Sequence, residues 1–62
     1  MTSIRQALHE ALAALTSAGT DTPRLEAELL LCEAADIDRT AIIAWPVRTL
    51  EPAQYARLNA LL

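Results

Sequence analysis

The sequence predicts an all-α domain, a small bundle of about four short helices, and three observations carry that prediction. Hydrophobic residues make up 53% of the chain but aromatics only 3%, so the apolar mass is Ala, Leu and Ile, and Ala and Leu are strong helix formers. Apolar residues recur at spacings of three and four, the period of one helix face. Four helix starts are legible as capping residues or cap-proline pairs, at Ser3, Thr22-Pro23, Asp38 and Glu51-Pro52.

The first helix is expected over residues 3–18. Ser3 followed by Gln6 forms a capping-box pattern, and Ile4, Leu8, Ala11, Leu12 and Leu15 share one side. Arg5, Gln6, His9, Glu10, Thr16 and Ser17 fall on the other, and Gly19 supplies the left-handed residue that closes the helix. The second helix is expected over 23–35, with Thr22 as cap and Pro23 in its first turn. Leu25, Leu29 and Cys32 form one apolar stripe and Ala27, Leu30 and Ala34 another, while Leu31 points elsewhere. A helix apolar on several sides belongs at the centre, so Leu29 is expected in the core. Arg24 and Glu28 stand at the favourable four-residue spacing.

Asp38 caps a short third helix over 39–45, with Ile37 and Ile42 in a hydrophobic-staple relation, and Pro46 forces its end. The fourth helix is expected over 52–62, with Leu50 and Tyr55 in the same staple relation and Tyr55, Leu58 and Leu62 in a stripe. It reaches Leu62 with no Gly, terminal basic residue or cap, which reads as a helix truncated from something longer.

At 62 residues the chain is one domain, and a domain of that size buries only roughly 60% of its unfolded surface. Marginal stability follows. Eight acidic residues against five arginines give a net charge of −3, the wrong sign for gripping a phosphate backbone. The arginines are also dispersed along the chain, whereas a DNA reader clusters them on one recognition helix. No apolar run approaches the ~20 residues of a membrane span. The lone Cys32 cannot form an internal disulfide and suits a reducing compartment, so a cytoplasmic protein is expected.

No catalytic, cofactor-binding or metal-binding residue is expected. His9 lies on a polar face and Cys32 on an apolar one, so no nucleophile–base pair assembles. A zinc site needs three or four gathered ligands, and a phosphate cradle needs more glycine than Gly19 alone. Glu26/Glu28 and Asp36/Asp38 are paired in sequence, but residues two apart on a helix do not face each other. Glu26 and Glu33, together on one polar edge of the second helix, are the candidate partner-docking residues. Their bland reading is a solvated edge.

The run Thr22-Pro23-Arg24-Leu25-Glu26-Ala27-Glu28-Leu29-Leu30-Leu31, then Asp38-Arg39-Thr40 and Leu50-Glu51-Pro52-Ala53-Gln54, resembles the helical N-terminal domain of the HemK/PrmC peptide chain release factor glutamine methyltransferases. The opening Ile4-Arg5-Gln6-Ala7-Leu8 fits the same pattern, and the resemblance covers essentially the whole chain. Glu51 departs from it, standing where Ser or Thr is expected. The resemblance implies a following Rossmann-like domain that binds S-adenosylmethionine, carries an Asn-Pro-Pro-Tyr motif and methylates the glutamine amide of the release factors' Gly-Gly-Gln loop. It implies that the helical domain helps dock the release factor and that neither motif nor cofactor loop lies in this chain. The alternative from another class is a free-standing helical interaction or regulatory module.

Overall fold

The computed structural model describes residues 2–62 as four helices, α1 (Ile4–Ser17), α2 (Pro23–Ala35), α3 (Arg39–Ala44) and α4 (Pro52–Leu61). Among the described residues there is no strand, only one isolated antiparallel bridge between Ser3 and Thr49. The all-α expectation holds, and α2 is central, packing against α1, α4 and α3.

Each helix end shows how the local sequence produces it. The Ser3 backbone is extended and its hydroxyl accepts from the Gln6 N–H at 3.1 Å, but the expected reciprocal half is missing. The Gln6 amide reaches forward to Glu10 instead. The other N–H groups of that first turn are taken from across the molecule: Ile4 donates to the Arg48 carbonyl at 2.8 Å and Arg5 to the Pro46 carbonyl at 2.9 Å. Leu50 donates back to the Thr2 carbonyl at 2.8 Å. Gly19, at φ +82°, closes α1 in a Schellman pattern, with Gly19 donating to Thr16 and Thr20 to Leu15.

Thr22 does not cap α2 with its side chain. Its ψ of 66° departs from the extended geometry that aims a capping oxygen at the first turn, and Pro23 alone sets the helix entry. The other end uses Asp36 in the left-handed region, at φ 56° and ψ 48°. Asp tolerates that region better than most residues, and the following Ile37 N–H bonds the Cys32 carbonyl. In α3, Asp38 accepts from the Ala41 N–H at 3.0 Å. Glu51, for all its departure from Ser or Thr, starts α4 well. Its N–H donates to the Gln54 side-chain oxygen at 2.8 Å, and the other end of that amide donates to the Ala35 carbonyl at 3.1 Å. Gln54 thereby clips the start of α4 to the end of α2.

The core corrects the sequence reading of α1 and α2. Its fully buried members include Ala7, Ala11, Ala27 and Ala34, and the large side chains enclosed with them are Leu31 and Leu58. Leu31, expected to point elsewhere, is the centre. Leu29, expected in the core, is 53% exposed and Leu25 44%. Buried positions 27, 31, 34 and 35 recur at helical spacing, so α2 turns one face inward, and that face is alanine-rich rather than leucine-rich. Leu8, Leu12 and Leu15 of α1 are half-buried flanks of an Ile4–Ala7–Ala11 line. Small residues on facing helices let the backbones approach closely, and the larger side chains then seal the edges. Leu62, expected on the α4 stripe, is exposed while Leu58 is enclosed.

Besides the Gln54 clip, two links between side chains cross from helix to helix among the described residues. Glu28, its side chain only 12% exposed, pairs with Arg39 of α3 at 2.9 Å and more loosely with Arg24 at 3.7 Å. The expected Arg24 pair is therefore the weaker one. The Tyr55 hydroxyl of α4 donates to the Glu10 carboxylate of α1, so Glu10 is not merely solvated.

Leu31→Ala should destabilise the chain by about 2–5 kcal/mol, the cost of a vacated core leucine, whereas Leu29→Ala should cost below about 1 kcal/mol. Urea denaturation of both variants checks this, and a larger loss at Leu29 would reverse the assignment of faces. The bond to Glu10 raises the Tyr55 pKa above its ordinary 10.0, against smaller opposing contributions from Asn59 and Thr2. Because the protonated phenol is the donor, its stabilising contribution is whole below pH 10 and is lost as pH rises through the raised value. With one tyrosine in the chain, phenolate absorbance should titrate above that value in the folded protein, and Glu10→Ala should bring it down. A wild-type midpoint at the ordinary value would remove the link.

Candidate functional site

The residues that chemistry would need lie apart. His9 is exposed on α1. Cys32 is half-buried on α2, where burial chiefly, then Asp38 and Glu28, push its thiol pKa up against the opposing pull of Arg39. A thiol shifted that way is a poor nucleophile. Of the sequence-paired carboxylates, Glu28 is held by two arginines, Asp38 is spent on the α3 cap, Asp36 sits at the left-handed end of α2, and Glu26 is exposed. Among the described residues no three His, Cys, Asp or Glu side chains gather around a possible metal ion. Gly19 is spent on closing α1 and lies in open space.

What the fold does present is surface. Glu26 and Glu33, seven residues apart, share one side of α2. Both are exposed, and neither makes an ion pair among the described residues. The structure adds what the sequence reading missed, since the exposed Leu25 and Leu29 lie on that same outward part of α2. The outer face of α2 thus combines two uncovered leucines with two unpaired carboxylates. The signal was available in the inward spacing of Ala27, Leu31 and Ala34, which leaves Leu25 and Leu29 on the outside. No helix among the described residues is long and apolar enough to cross a membrane.

Comparison with known proteins places this surface in context. A sequence model described as the PrmC N-terminal domain matches residues 6–62. The chain is 33% identical over 60 residues to the release factor glutamine methyltransferase of Aliivibrio fischeri, a match covering 97% of this chain and 21% of that protein. It is 40% identical over 57 residues to the same-named protein of Koribacter versatilis, covering 92% and 20%. With that of Moorella thermoacetica it shares 42% over 55 residues, covering 89% and 19%. No solved structure matches the chain significantly. The chain spans about a fifth of the length of these curated relatives. Its match from residue 6 to residue 62, together with relatives alike along nearly all of its length, shows that the chain belongs to the PrmC N-terminal domain family.

Proposed function

We propose that this domain docks a peptide chain release factor, so that the glutamine of its Gly-Gly-Gln loop reaches a separate catalytic domain of the same enzyme. The observation that carries the reading is the outer face of α2. Leu25 and Leu29 are uncovered there, and Glu26 and Glu33 stand beside them with no ion pair among the described residues, in a domain of the PrmC N-terminal family whose relatives are named release factor glutamine methyltransferases. Exposed leucines on a domain this small are apolar area withheld from a core that is short of it. A protein partner is a fitting occupant for such a face.

The division of labour follows from the chemistry. Methylation of one side-chain amide in an exposed loop requires a protein-sized substrate to be held in register with the methyl donor, and fixing that geometry can lower the barrier by several kcal/mol. Binding energy gathered far from the reacting atoms is used for orientation. S-adenosylmethionine supplies the methyl group and belongs to the catalytic domain, since this chain offers it no glycine-rich loop. The helical domain contributes position, and its lone, free Cys32 suits a reducing cytoplasm.

In the full-length enzyme, Glu26→Lys combined with Glu33→Lys should lower kcat/KM for the intact release factor by about tenfold, mostly through slower association that added salt masks. A short Gly-Gly-Gln peptide should be methylated at the wild-type rate. Equal losses on both substrates would mean a misfolded enzyme, and no loss on either would return this edge to solvent.

A further inference from the structure

We infer that the corner formed by residues 43–48 is a second contact face on this domain, shaped for an acidic segment bearing apolar side chains on the release factor. The inference rests on the docking reading above and names a further place where that partner is gripped. Three large apolar side chains stand in the open within five residues: Ile43 at 81% exposure, Trp45 at 58% and Val47 at 74%. The backbone that displays them is fixed. The Trp45 N–H bonds the Ala41 carbonyl, the Arg48 N–H bonds the Trp45 carbonyl, and the carbonyls of Pro46 and Arg48 are held by the first turn of α1. A rigid turn that displays a tryptophan loses little conformational entropy on binding.

Beside the turn lies a groove of about 180 Å³ lined by Ile4, Ile37, Trp45, Arg48 and Leu50, among others. Of the three arginines that make no ion pair among the described residues, Arg57 lies on α4 and the other two, Arg5 and Arg48, start at this corner. The chain carries a net charge of −3, and two of its arginines, Arg24 and Arg39, are tied to Glu28. Arg48 lines the groove, and Arg5 begins at the Pro46 carbonyl beside it. Neither makes an ion pair among the described residues. The acidic group at the groove is Glu51, which stands at the N-terminus of α4, where the helix dipole offsets a carboxylate. An exposed tryptophan next to an unpaired arginine is the composition of an interface hot spot. Charge complementarity selects an acidic partner surface here, opposite in sign to the one that would suit Glu26 and Glu33.

The test uses the full-length enzyme and an intact release factor. Arg48→Glu, at an exposed position, should raise the Kd about tenfold, with the deficit shrinking as salt rises, and Trp45→Ala should weaken binding at all salt concentrations. Both variants should methylate a short Gly-Gly-Gln peptide normally, which shows that they fold. A cysteine placed by Val47→Cys should react rapidly with a maleimide in the free enzyme and slowly once the release factor is bound. Wild-type affinity in both Arg48→Glu and Trp45→Ala, with binding still lost when residues 1–62 are deleted, would overturn the corner and leave the docking reading standing. Undiminished binding after that deletion would overturn both. Slow labelling of the Val47→Cys enzyme before the release factor is added would overturn the proposal by showing the corner already covered, by the catalytic domain or, if labelling slows with enzyme concentration, by a second copy.

Discussion

A backbone stitch between residues 2–5 and 46–50 holds one end of this molecule together. The first turn of any α-helix carries N–H groups that the helix itself cannot satisfy. In α1 those of Ile4 and Arg5 go to the carbonyls of Arg48 and Pro46, and that of Gln6 goes to the Ser3 hydroxyl. The same bonds give the segment after α3 its shape. A six-residue helix such as α3 has no stability of its own, so its position depends on the stitch, on the Asp38 cap and on the Glu28–Arg39 pair. Ile4 and Leu50, 3% and 5% exposed, close the apolar side of the junction.

The second constraint is size. With so little volume to enclose, the domain makes its centre from a close seam of alanines and a few larger side chains, Leu31 and Leu58 among them. Close approach of α1 and α2 has a corollary. The leucines that would crowd such a seam must go to its edges or to the outside, and Leu25 and Leu29 have gone outside. The exposed face of α2 is thus a consequence of how the core is built, and the docking role we assign to it uses a surface that the packing already provides.

Helix starts were legible in the sequence because they are local. Ser3, Asp38 and the proline-led starts at Pro23 and Pro52 act within one turn of themselves, and the left-handed stop at Gly19 does too. What remained hidden was long-range. The carbonyls of Pro46 and Arg48 carry no side-chain signature, so nothing in the residues announced that they would cap α1. Leu29 and Leu31 exchanged roles because a wheel with apolar residues all around does not show which arc faces inward. Only the run of small residues at 27, 34 and 35 held that information. Of the surface we assign to docking, the carboxylates of Glu26 and Glu33 were legible as a polar edge, whereas the leucines beside them were signalled only by that spacing of small residues. The corner at Trp45 was hidden for the same reason as the stitch that holds it.

The stitch carries the account, because it both completes α1 and fixes the corner that we assign to partner contact. Native-state hydrogen exchange measures it directly in the amides of Ile4, Arg5 and Leu50. If these bonds belong to the cooperative core, the three amides exchange only when the whole domain opens, at the free energy shown by the amide of Leu31 in the middle of α2. Exchange of Leu50 near its unprotected rate while Leu31 stays protected would show that residues 46–50 hang free of the bundle, and would contradict the account.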